Sequence, residues 1–158
     1  MKRKTISKEL RQLVYKKYNG HCAYCGDKIE YKDMQVDHFA PVRNFGDNIE
    51  ISNLMPACRS CNGYKDTYTI SKFREQLSKI PSRLMRDVTT YKVALRYGLI
   101  KETNIGIKFY YEEVKERLAK LESLPKQLWS MEDIMWFEDY QKEVEEVNGY
   151  FTRSESES

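Results

Sequence analysis

Cys22-Ala23-Tyr24-Cys25, then Val36-Asp37-His38-Phe39-Ala40-Pro41, then Asn53-Leu54, and finally Cys58-Arg59-Ser60-Cys61-Asn62-Gly63-Tyr64-Lys65 form the stretch whose reading decides the fold. All four cysteines of the chain fall in its two Cys-x-x-Cys pairs, with 32 residues between Cys25 and Cys58. A pair at this spacing chelates one ion from a single tight turn, and zinc in structural sites takes four tetrahedral ligands, thiolates among the commonest. Cys22, Cys25, Cys58 and Cys61 are therefore expected to hold a structural Zn2+ with no open coordination position. Buried free thiols and a redox pair are the competing readings, and two matching pairs speak against both. By itself the double pair fits a zinc-ribbon binding module as well as an enzyme.

Outward from the pairs, apolar residues Ile6, Leu10, Leu13, Val14 and Tyr18 recur at helical spacing and stop at Asn19-Gly20. Met34 to Phe39 reads as a short strand ended by Pro41, Leu54-Met55 as its return, and a helix is expected from about Ser60 past Lys65. On a strand, Asp37 and His38 should point to opposite faces. Beyond Lys65 the pattern is mostly helical, with one stripe over Ile70, Phe73, Leu77 and Ile80 closed by Pro81. A second stripe over Leu84, Val88, Tyr91 and Leu95 is closed by Gly98. Ile105 to Tyr111 alternates as a strand would. Val114, Leu118 and Leu121 suggest a helix, and the aromatic segment from Leu128 to Tyr140 suggests another packed on the body.

The series Cys-x-x-Cys, Asp-His-x-x-Pro, Asn-Leu and Cys-x-x-Cys-Asn-x-x-Lys resembles the HNH endonucleases of the ββα-metal, or His-Me finger, fold, over roughly residues 7–75. The resemblance implies an α+β protein: a β-hairpin followed by a helix, clamped by the zinc site, plus a mostly helical C-terminal extension. It further implies Asp37 as first ligand of a catalytic Mg2+ or Mn2+, His38 as general base, and Asn53 as the residue holding the hairpin loop and orienting the histidine. Asn62 stands where the family has its second metal ligand, and its oxygen favours a hard ion such as Mg2+. Arg43, Arg59 and Lys65 are the candidate phosphate contacts. The expected activity is DNA phosphodiester hydrolysis leaving 5′-phosphates.

The expected organisation is a nuclease core with its N-terminal helix over 1–75, a helical extension over 76–150 and a disordered tail over 151–158. The net charge of +3 divides unevenly: residues 1–74 carry 14 Lys or Arg against 8 Asp or Glu, and residues 126–158 carry 3 against 9. A basic front fits a polyanionic partner, DNA under the resemblance. No apolar run reaches the length of a membrane span, and the start, Met1-Lys2-Arg3-Lys4, lacks the apolar core of a signal peptide, so a cytoplasmic location is expected. Two other classes fit parts of the pattern: a non-catalytic zinc-dependent nucleic-acid-binding module, and an interaction protein docking through its acidic, aromatic end.

Overall fold

A computed structural model describes residues 4–103 and 105–156, and side chains to residue 145 with the exception of 143. Helix α1 (Lys8–Lys16) opens the fold, its first turn capped by the Ser7 hydroxyl, which accepts from the Leu10 amide at 3.1 Å. Leu13 and Val14 are buried along its inner face, and the chain then reverses through Asn19 (φ 50°) and Gly20 (φ 67°). Strands β1 (Gln35–His38) and β2 (Leu54–Ala57) form an antiparallel pair in which His38 faces Leu54 and Asp37 faces Met55. Between them lie the short helix α2 (Val42–Phe45) and a 3₁₀ turn (Ile51–Asn53). Helix α3 (Arg59–Lys65) follows at once, completing a ββα unit within an α+β protein. It ends at Lys65, where an extension past that residue was expected, because Asp66 takes φ 45° and turns the chain out of the helix.

After α3 come α4 (Ile70–Ser78), α5 (Ile80–Asp87), α6 (Thr89–Arg96), α7 (Tyr110–Ser123) and α8 (Met131–Ser156). Pro81 opens α5, where its missing amide proton is harmless, after α4 has already stopped at Ser78. The stripe read as one helix over Leu84 to Leu95 is two. The chain is extended at Val88 (φ −118°, ψ 104°), the first residue of a β-branched Val-Thr-Thr run that resists helical χ1 angles. Ile105 to Tyr111 is not a strand. The amides of Tyr110 and Tyr111 donate to Tyr24 and Ala23 at 3.1 and 2.9 Å, after which the Glu112 carboxylate accepts from the Phe109 amide and starts α7. Helix α8 runs to Ser156, so the tail expected to be disordered begins as helix in continuation of the glutamate-rich Glu143–Glu146 stretch; residues 157 and 158 lie outside the described residues.

One hydrophobic cluster crosses the boundary expected at residue 75. Val14, Tyr24, Met34 and Leu54 pack with Phe73, Phe109 and Tyr111. Phe109 stacks on Phe73 with centroids 5.2 Å apart, and Tyr24 meets both rings edge-on. The segment before α7 thus presses the first cysteine turn against α4. Among the described residues no helix is long and apolar enough to cross a membrane.

Candidate active site and cysteine cluster

Cys22 and Cys25 lie on the turn after α1, Cys58 and Cys61 at the start of α3. Their four sulfur atoms lie within 4.8 Å of one another, with Cys25 and Cys58 at 3.9 Å. A tetrahedral zinc with Zn–S bonds of about 2.3 Å places its sulfurs about 3.8 Å apart, so the cage fits a zinc knuckle. The Cys58 sulfur also caps α3 by accepting from the Cys61 amide at 3.3 Å. The crowding shows in the thiols: Cys22 is drawn down to about 5, chiefly by a hydrogen bond from the Cys61 thiol. That same bond pushes Cys61 up, and burial pushes Cys25 up to about 12. Sulfurs this close ionise one at the expense of its neighbours, whereas a dication among them lets all four be thiolates.

A cleft of about 490 Å³ opens between the end of β1, the loop behind it and α3. Asp37, His38, Arg43, Asn62 and Asp66 line it. Asp37 and His38 both line the cleft, although strand alternation predicted opposite faces. Asp37 is 7% exposed, and its Oδ2 receives both the Tyr24 hydroxyl and the Lys65 ammonium, the latter at 2.8 Å. Burial, reinforced by the Asp37 charge, raises the Tyr24 phenol and keeps it a donor. Lys65 is fully buried, and its Nζ also donates to the His38 carbonyl at 2.8 Å.

Asn53 stands outside the cleft and ties its loop together. Its Oδ1 accepts from the Ala40 amide at 2.8 Å and its Nδ2 donates to the Asn48 carbonyl at 3.0 Å. The Phe39 amide donates to the Asn53 carbonyl at 2.8 Å, so both ends of the loop meet at this residue. Lys17 fastens the same turn from α1, donating to the carbonyls of Ile51 and Leu54 at 2.9 and 3.1 Å.

A ββα unit with aspartate and histidine at the strand end, asparagine on the helix and a four-cysteine clamp is what a family comparison also finds: residues 22–67 match the model described as HNH endonuclease. That segment is an HNH domain. A relative at 38% identity over 58 residues is the Septu protein PtuB of Bacillus thuringiensis; the match covers 34% of this chain and 22% of that protein, so this chain corresponds to less than a quarter of it. Among solved structures, the Type II-C Cas9 enzyme from Actinomyces naeslundii aligns with a TM-score of 0.44 at 20% identity, over 90% of this chain and 12% of that one, a likeness too slight to assign roles. The match supports a nuclease-type function for this segment.

Of the residues singled out from the sequence, the HNH domain brings Asp37, His38, Asn62 and Arg43 into one cleft and the four cysteines into one cage. Arg59 is exposed on the first turn of α3, outside the cleft lining. Lys65 needs correction. The sequence marks it as a candidate phosphate contact, but a fully buried ammonium between Asp37 and the His38 carbonyl is out of reach of a substrate backbone. Its direction follows from spacing: Cys58, Cys61 and Lys65 recur at three and four residues, so Lys65 shares the inward face of the zinc ligands. His21 lies away from the cleft, its Nδ1 3.1 Å from the Tyr18 carbonyl and its ring against Tyr110. Tyr24, which donates to Asp37, and Asp47, whose Oδ1 lies 3.4 Å from His38 Nε2, also take part in the site, and no motif in the sequence assigns them that part.

Proposed function

We propose that this chain is a metal-dependent endonuclease that hydrolyses DNA phosphodiester bonds in the cleft of its HNH domain, with His38 as general base. The observation that carries this reading is convergence. Asp37, His38 and Asn62, separated by up to 25 positions, line one open cleft whose rim carries the exposed Arg43.

The donor set fits a hard divalent cation. Asp37 offers a carboxylate and Asn62 an amide oxygen, and Mg2+ commonly completes its shell with waters and substrate oxygens. Bound there, Mg2+ or Mn2+ supplies charge neutralisation to the scissile phosphate and the leaving oxygen, worth several kcal/mol. The protein does the rest. Lys65 and Tyr24 both hold Asp37 through Oδ2, which fixes the plane of the carboxylate facing the cleft. Arg43 grips the phosphate backbone at the rim. His38 removes the proton of the attacking water, a contribution of about 10²–10⁴ in rate. The loop tied by Asn53 keeps the ring in place, and attack opposite the 3′ oxygen leaves a 5′-phosphate.

A second reading, a binding module without catalysis, is favoured by one feature: Asp37 is already paired with a buried lysine. Plasmid cleavage with and without Mg2+ or Mn2+ separates the two readings. Metal-dependent nicking or linearisation that disappears in His38→Ala, with zinc content and DNA affinity retained, supports the enzyme. DNA binding without cleavage by the parent under either metal supports the module.

A further inference from the structure

The loop between the strands carries a carboxylate that the family resemblance leaves without a role. Asp47 follows His38 by nine residues, and its side chain is only 5% exposed. Its Oδ1 lies 3.4 Å from His38 Nε2. That ring nitrogen is fully enclosed and lacks a hydrogen bond, and among the described residues it is the one buried side-chain nitrogen or oxygen of which this is true. A buried polar atom seldom stays unpaired, so an unpaired one beside a carboxylate marks a bond waiting to close. Closing it takes a shift of about half an ångström with a small turn of the ring, and catalytic hydrogen bonds are often long or poorly aligned before substrate binds.

Asp47 is not free to swing away. Its Oδ2 accepts from the Lys4 amide, and Asn53 fixes the next residue by donating to the Asn48 carbonyl. The Asn48 side chain in turn accepts from the Glu50 amide at 2.8 Å. A chain of contacts therefore runs from Asn53 through the 47–48 backbone to the Asp47 carboxylate and the ring of His38.

We propose that Asp47 is the positioning residue of the general base: its carboxylate holds the Nε2–H of His38, fixing the tautomer whose Nδ1 lone pair faces the cleft. The proposal rests on the reading of His38 as base. Nε2 is enclosed beside Asp47 while the histidine lines the cleft, which leaves Nδ1 as the nitrogen a water can reach. On taking the water's proton at Nδ1 the ring becomes an imidazolium with its second N–H already on a carboxylate. The proton leaves Nδ1 for solvent after turnover. Asn53 then acts on the base through Asp47 as well as through the strand end.

Two measurements on the zinc-loaded full chain test this. The first needs no activity: a ring N–H held by a buried carboxylate exchanges slowly and gives a downfield, ¹⁵N-coupled proton resonance. That signal is expected in the parent and in His21→Gln, and is expected to vanish in His38→Gln. A folded parent without it overturns the proposal. The second is kinetic: Asp47→Ala is expected to lower kcat about 100-fold at nearly unchanged KM, and Asp47→Asn, which retains an oxygen acceptor, to recover about tenfold of that. A folded Asp47→Ala with parental kcat, or equal losses in both variants, overturns it. If no nucleic acid is cut, the reading of His38 as base fails, and the resonance alone decides whether Asp47 holds its ring.

Discussion

Replacing Lys65 by methionine tests whether this lysine serves the fold or the substrate. The side chain is fully buried, and its Nζ is 2.8 Å from Asp37 Oδ2 and 2.8 Å from the His38 carbonyl oxygen. Methionine keeps much of the length and volume and removes the charge, leaving an Asp37 carboxylate whose side chain is 8% exposed. Breaking a buried ion pair from one side costs about 3–5 kcal/mol, because the remaining charge is desolvated and unpaired. The Tyr24 hydroxyl still donates to Asp37, which places the expected loss at the lower end, about 3 kcal/mol. For a chain of this size that is a fall in melting temperature of roughly 10 °C. The assay is urea unfolding of the zinc-loaded protein at neutral pH for the parent, Lys65→Met, Asp37→Asn and the double variant. Neutralising Asp37 removes the stranded charge, so the double variant should be more stable than the sum of the singles by more than 1 kcal/mol or so. A loss of under about 1 kcal/mol in Lys65→Met, or simple additivity, refutes the buried-pair argument. A lysine that met phosphate would instead leave stability alone and reduce the salt dependence of DNA binding.

Cys58→Ser is expected to lose bound zinc and the cooperative thermal transition together, since structural zinc affinity in small domains is folding free energy. Metal analysis and circular dichroism check this, and a variant that melts like the parent sinks the clamp. Arg43→Ala should weaken binding of any DNA duplex alike and flatten the salt dependence by about one counterion, with the melting temperature unchanged; titrations at several salt concentrations read it. Burial, and then the nearby Lys115, depresses the Lys17 amine to about 8. Its folded value lies below the unfolded one near 10.5, so the unfolded chain binds more protons between those limits and stability rises with pH there. Measured against Lys17→Met, the parent should gain roughly 2 kcal/mol from pH 8 to pH 10; a flat difference across that window refutes the assignment.

What could be read from the chain itself depended on how local the determinants are. Ser7 and the Leu10, Leu13 and Val14 face specify α1 within a dozen residues, and the cysteine pairs announce the cage by spacing alone. The strand pair was legible because Asp37-His38 and Asn53-Leu54 frame a loop rich in turn formers. Tertiary contacts decided the rest. Residues 105–111 alternate like a strand, yet their partners are the backbone of Ala23 and Tyr24, more than 80 positions earlier, and Glu112 turns the chain into a helix at once. A lysine is by default an exposed charge, which points Lys65 at substrate; the stripe it shares with Cys58 and Cys61 points it inward, where it meets Asp37. Asp47 sits in a polar loop with Gly46 and Asn48, where turn chemistry fully accounts for it until the position of the His38 ring is known.

Helix α3 gives the reason that the zinc cage and the cleft belong to one device. It has seven residues, too few to be stable alone. Cys61 near its start belongs to the cage, Asn62 beside it lines the cleft, and Lys65 at its end binds Asp37 and the His38 carbonyl. A metal ion in the cysteine cage would hold one end of α3 and the buried ion pair holds the other against β1, with Asn62 between them. Neither anchor suffices: the cage fixes where α3 begins, and the Lys65 pair fixes how it turns toward the strand. A site that brings Asp37 and Asn62 together from separate elements needs both constraints, because a small rotation of so short a helix would move Asn62 away from Asp37 while leaving the core of Val14, Leu54 and Phe73 intact.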